Sequence, residues 1–167
     1  MIGPFNNDGF EIPLTRLPDH NYLLISFELI IHDAWEGNKQ TIDGPDFWTM
    51  TLETDPENPS AHDYRFQTTF STSPCVASHC VEQSYPNAYP FSHPPNAESS
   101  RFSPGRCFGL GNPIATTRYN IEKVISHRDD DATFSFFDNL VQENVEDNFC
   151  DETWSMDNIT IKALLVN

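Results

Sequence analysis

From Tyr22 to His32 the chain alternates with a period of two. Leu23, Ile25, Phe27, Leu29 and Ile31 fall on one side, and Ser26, Glu28 and His32 on the other. Successive side chains of a strand point to opposite faces, so this spacing predicts a central strand with one buried face. A strand of this kind is stable only with neighbours, and the rest of the sequence supplies them. Alternation recurs at Phe10, Ile12 and Leu14, at Trp48, Met50 and Leu52, and at Tyr64, Phe66, Thr68 and Phe70. It returns at Tyr119 and Ile121 against Val124 and at Ile159, Ile161, Ala163 and Leu165, and the short aromatic run from Ala132 to Phe137 reads as a further strand. Pro13 marks the Phe10 segment as an edge strand. No segment carries a helical period, and 13 prolines with few Ala or Lys argue against helices. The expectation is an all-β chain: a jelly-roll-like β-sandwich of seven to eight antiparallel strands, residues 1–167 forming a single domain.

Between residues 71 and 112 the alternation stops. This proline- and cysteine-containing stretch reads as a long insertion, and loops of that length in a compact domain are usually functional or covalently braced. Cys75, Cys80, Cys107 and Cys150 form an even set, which points to disulfides in an oxidising compartment with three possible connectivities. The favoured pairing is Cys75–Cys80 as a local staple and Cys107–Cys150 as a long-range tie. The rival reading is a zinc site using Cys75, His79 and Cys80.

Lys and Arg number 9 against 25 Asp and Glu, a formal charge of −16. Such a surface repels phosphate backbones, which excludes nucleic acid as a partner, while it suits divalent cations, an extracellular setting or plain solubility. No apolar run is long enough to span a bilayer, so no membrane insertion is expected. Met1 is not followed by a basic and then apolar signal segment, so a secreted form would have lost its signal or be a piece of a longer chain.

The chemistry concentrates in two acidic, aromatic stretches. The first follows the central strand and holds Asp33, Trp35, Glu36, Asp43 and Asp46. The second, read as a turn entering the last strand, holds Cys150, Asp151, Glu152, Trp154 and Asp157. Calcium takes six to eight oxygens from carboxylates, amides and main-chain carbonyls, so Asp33, Glu36, Asp46, Asp151, Glu152 and Asp157 are candidate ligands for a structural calcium ion. The competing reading is that these are solvated turn and cap residues. Trp35, Trp48 and Trp154 are core side chains or, for Trp35 and Trp154, an exposed platform on which sugar rings stack. A carboxylate pair for glycoside hydrolysis has no readable spacing. No nucleophile elbow, phosphate loop or HExxH spacing occurs. Asn158-Ile159-Thr160 is an N-glycosylation sequon, or Asn158 caps the acidic turn.

Asp33-Ala34-Trp35-Glu36-Gly37, Gly44-Pro45-Asp46-Phe47-Trp48, Phe70-Ser71, Gln83-Ser84-Tyr85-Pro86 and Glu152-Thr153-Trp154-Ser155-Met156-Asp157-Asn158 together carry a resemblance. The chain resembles a family of jelly-roll-like β-sandwich modules of large bacterial and protist cell-surface proteins. Two departures stand out: Ser155 sits where the family has Gly, and the insertion from Cys75 to Cys107 has no counterpart in the motifs. The resemblance implies an extracellular, calcium-braced sandwich used for adhesion, sugar binding or building a surface appendage, with no catalytic residues.

The expected function is therefore a non-enzymatic structural or adhesive module, a building block of a cell-surface filament or glycoprotein. Its partners would be other copies or domains of the assembly. The alternative is a calcium-dependent carbohydrate-binding module whose partners are glycans, and a glycoside hydrolase stands third.

Overall fold

The computed structural model describes residues 1–40, 44–54, 63–72, 80–104, 115–141 and 152–167. Among them are nine strands: β1 (Ile2–Phe5), β2 (Gly9–Leu14), β3 (Tyr22–Asp33), β4 (Phe47–Glu53), β5 (Tyr64–Thr69), β6 (Arg101–Pro104), β7 (Ala115–Ser126), β8 (Ala132–Asn139) and β9 (Glu152–Leu164). They form two antiparallel sheets, one ordered β1-β9-β3-β7-β6 and the other β2-β8-β4-β5. The fold is an all-β sandwich. The links β1–β2, β2–β3, β3–β4, β7–β8 and β8–β9 each pass from one sheet to the other.

The alternation of β3 is used as the sequence demands. Leu23, Ile25, Phe27, Leu29 and Ile31 face inward and are buried, and Trp48, Met50, Leu52, Phe134 and Phe136 meet them from the second sheet. One end of this core is aromatic. Trp48 packs edge-on to Trp154 at 6.0 Å and to Phe70 at 6.4 Å, and Phe70 contacts Tyr119 at 4.6 Å. Pairs of this kind add about 0.5–1.5 kcal/mol each beyond the area they bury.

The sequence reading needs three corrections. Glu152 to Asn158 is strand rather than turn, because β9 pairs with β3 from Asp33↔Glu152 to Tyr22↔Leu164. Its alternation is broken by a bulge, where Ser26↔Thr160 and Glu28↔Asp157 leave Phe27 opposite two residues, Asn158 and Ile159. Asn158 absorbs the extra residue with a φ of 54°, a left-handed conformation that Asn tolerates. The inward phase then shifts from Trp154 and Met156 to Ile159, Ile161 and Ala163. The other two corrections are β1 and β6, short strands with a proline apiece, which carry no alternation to read; they bring the count to nine, and β6 lies within the expected insertion.

Cys80 is disulfide-bonded, so it has no thiolate to offer zinc. Cys75, Cys107 and Cys150 lie outside the described residues, and the expected connectivity lies there with them. Before β6 the insertion is ordered around the buried Gln83. Its side-chain carbonyl accepts the N–H groups of Ser71 (3.2 Å) and Asn96 (3.0 Å) and the Tyr119 hydroxyl (3.2 Å). Its amide donates to the carbonyls of Tyr85 (3.0 Å) and Ala97 (3.1 Å). One polar side chain thus pins this segment to the end of β5 and to β7.

Candidate functional site

At the end of β3 the chain turns through Asp33-Ala34-Trp35-Glu36-Gly37, and each residue of the motif except Ala34 has a physical task. Asp33 takes a φ of 64°, and its carbonyl accepts the Thr72 hydroxyl. Trp35 is fully buried and donates its indole N–H to the Thr153 carbonyl at 3.0 Å. Glu36 bridges to Ser71, and its side chain pairs with Lys39 at 2.6 Å. Gly37 has a φ of 57°, and a Cβ there would stand 2.2 Å from the Glu82 carbonyl oxygen. Only glycine meets both demands.

This end of the sandwich gathers carboxylates from the end of β3, the residue before β4 and the start of β9. Asp33 and Asp46 are fully buried, and Glu152 is 2% exposed. Asp33 lies directly opposite Glu152 in the β3–β9 register. Asp46 accepts the Glu36 N–H at 2.8 Å and the Val141 N–H at 3.4 Å, and it shares a side-chain hydrogen bond with Glu152. Two carboxyl groups in such contact require a proton or a cation between them at neutral pH. Burial raises the Asp46 carboxyl from 3.8 to about 6 and the charge of Glu36 adds to this, against the opposing hydrogen bonds from Glu36, Glu152 and Val141.

A fourth buried acid at this end is Asp138, near the end of β8. It accepts the N–H groups of Asn7 (2.8 Å) and Asp8 (2.9 Å), which anchors the β1–β2 turn. Burial pushes its carboxyl up, and these main-chain donors and Trp154 oppose the shift.

The remaining predicted site residues part company with this cluster. Glu36 sits at its rim, paired with Lys39. Asp157 is outside it: its side chain is 41% exposed on the outer face, 3.1 Å from the Met1 amine, and it pairs with Glu28, five positions along β3 from Asp33. At ~3.4 Å per residue that is about 17 Å away, and the phase of β9 turns its side chain from the core. The amine beside it holds its carboxyl below the usual range. Asp151 and Asp43 lie outside the described residues. Trp35 and Trp154, like Trp48, are fully buried, so neither offers a face to a sugar. Asn158 is exposed at the bulge, beside a shallow groove of about 240 Å³ lined by Ser26, Glu28, Asn120 and Glu122, and has room for a glycan.

The donor set is hard oxygen, which suits calcium rather than a soft metal. Among the described residues, no three His, Cys, Asp or Glu side chains are grouped to hold a metal ion by themselves. Any calcium shell here would draw on further oxygens. Asp46 and Glu152 touch, whereas a glycosidase pair flanks its substrate at ~5–9.5 Å. Among the described residues, no helix is long and apolar enough to cross a membrane. No protein-family model, no curated protein and no solved structure matches the chain.

Proposed function

We propose that the chain is a non-catalytic extracellular module of jelly-roll type, a structural or adhesive building block in which calcium braces one end of the sandwich through the Asp46–Glu152 pair and further oxygens around it. The observation that carries this reading is the burial of three carboxylates at one end, two of them in contact. Charges so placed cost stability unless a cation or a proton neutralises them. With β6 set aside, the strand orders 1-9-3-7 and 2-8-4-5 support the jelly-roll assignment. The bonded Cys80 and the exposed sequon at Asn158 support an oxidising, glycosylating route to the cell surface. Assembly with other copies or domains would use sheet edges. The β5 edge already receives main-chain bonds from Tyr85 and Tyr89.

The carbohydrate-binding alternative moves from the tryptophans to Tyr89 and Phe91. Phe91 is 60% exposed, Tyr89 packs edge-on to Phe47 at 5.0 Å, and Gln40 and Asn38 of the acidic loop hydrogen-bond to them. Thermal unfolding of the oxidised protein, with calcium and then with excess chelator, tests the brace. A site that binds only the folded state adds ~2.7 kcal/mol at a hundredfold excess over its Kd, which is roughly 5–11 °C for a chain of this size. Equal melting temperatures in the two conditions would sink the proposal.

A further inference from the structure

The opposite end of the sandwich is closed by two turns that cross between the sheets, residues 15–21 from β2 to β3 and residues 127–131 from β7 to β8. The Leu17 N–H donates to the Asp130 carbonyl (2.8 Å), the Arg16 N–H to the Asp131 carboxylate (2.9 Å), and the His127 N–H to the Asn21 carbonyl (3.3 Å). Between these ties lie His20 and His127, each 7% exposed. Nε2 of His20 is 2.8 Å from Nδ1 of His127, with ring centroids 5.1 Å apart and planes at 17°. Rings that close at one nitrogen pair and that far apart at their centres are edge to edge, joined by an N–H···N bond in their common plane, and not face to face.

The protons on this pair can be assigned. His20 Nδ1 lies 2.7 Å from the Pro18 carbonyl oxygen, which only accepts, so His20 Nδ1 holds a proton. Neutral His20 then presents a bare Nε2, and the shared proton belongs to His127 Nδ1. Neutral His127 is left with a bare Nε2, which is buried without a hydrogen-bond partner. A further proton has that one nitrogen to enter.

We propose that the His20–His127 pair is an acid-sensitive latch between the two crossing turns, closed while both rings are neutral and loosened when a proton enters His127 Nε2. The charged groups around it are Arg128, Asp129, Asp130 and Asp131 on its own turn and Arg16 and Asp19 on the facing one. Glu53 at the end of β4 adjoins Thr54, whose hydroxyl donates to Asp129 (3.4 Å). Burial, and then His20, hold His127 below the usual histidine range, against the charge of Asp129 and the Asp131 main chain. A cavity of about 480 Å³ lined by Thr54, Ser126, His127, Arg128 and Asp129 gives water access to the ring once the latch parts. The closed state holds the extra proton less tightly than an opened one. The latch is therefore intact above the ordinary histidine value of about 6.5 and loses stability as pH falls through it.

Nitrogen-detected NMR of the histidine rings at pH 7.5 should find Nδ1 protonated and Nε2 bare in both. Hydrogen exchange then reads the latch: protection at the amides of Arg16, Leu17 and His127 should fall between pH 7.5 and 5 by up to about tenfold per pH unit. In His127→Gln it should be independent of pH over that range. A proton on His127 Nε2 at pH 7.5, constant protection in the wild type, or the same slope in His127→Gln would each overturn the proposal. Should that variant fail to fold, the ring protonation and the wild-type slope decide.

Discussion

Replacing Asp46 by Asn separates the cost of a buried charge from the benefit of a bound cation. The folded state holds the Asp46 proton more tightly than the unfolded chain does. Without metal, the stability linked to this group is whole below pH 3.8, is lost as pH rises to about 6, and stays lost above that. A displacement from 3.8 to about 6 corresponds to about 3 kcal/mol, at ~1.4 kcal/mol per pH unit. An Asn at this position still accepts the Glu36 N–H and can donate to Glu152. It turns an amide N–H toward Val141 in place of an acceptor, a loss of about 1 kcal/mol. The net expectation in chelator at pH 7.5 is that Asp46→Asn is more stable than the wild type by about 2 kcal/mol, or roughly 4–8 °C in Tm. Near pH 4 that margin should disappear and reverse, leaving the variant less stable by up to about 1 kcal/mol, because the wild-type carboxyl is then protonated in the fold and only the lost Val141 bond remains.

Calcium should act in the opposite sense. The wild type gains binding energy, the variant lacks one charged ligand, and the margin at pH 7.5 should close or invert. The assay is a pair of urea titrations followed by tryptophan fluorescence, with and without calcium, at pH 4 and pH 7.5. A variant less stable than the wild type in chelator at pH 7.5, or a margin equal at both pH values, would refute the electrostatic reasoning. A margin indifferent to calcium would refute the brace while leaving the buried-charge argument standing.

Gln83→Leu should cost about 3–5 kcal/mol, read from the urea midpoint, because it orphans the Ser71 and Asn96 N–H groups and the Tyr119 hydroxyl at once. A cost below ~1 kcal/mol would mean that the insertion is held by other contacts. Asp157→Ala should shift the melting temperature by the same small amount in calcium and in chelator, since its carboxylate faces solvent and the Met1 amine rather than the acidic cluster. A calcium-specific loss in this variant would return Asp157 to the site.

The architecture was legible wherever a strand keeps one phase. The alternation of β3 and β4 named their buried faces, and the two-sheet packing follows from them. It was illegible where phase is interrupted or too short to establish. The bulge at Asn158 splits β9 into two half-patterns, so its acidic half read as a turn. β1 and β6 span too few residues for alternation to emerge. Hydrogen-bond hubs such as Gln83 leave no trace in spacing, since their partners come from Ser71 beyond β5, from β7 and from the insertion itself. The types of the site residues were legible from composition and motif. Which of them meet was not, because register between distant strands brings them together.

Strand phase nonetheless carried a signal that sorts the carboxylates. Extending each inward stripe one step past its last large apolar residue reaches an acid in four strands or their margins. Ile31 is followed inward by Asp33, Trp48 is preceded by Asp46, Phe136 is followed by Asp138, and Trp154 is preceded by Glu152. All four acids are buried. Asp157, out of phase with Trp154 and Met156, is exposed. In a chain of net charge −16, acidic composition alone separates none of these five. A carboxylate in phase with the core is held at the mouth of the sandwich, where main-chain N–H groups answer its charge at Asp138 and at Asp46, while the contact of Asp46 with Glu152 calls for a proton or cation besides. Two buried carboxyl groups in contact, rather than the acidic composition, are the physical ground for expecting calcium at one end of this molecule.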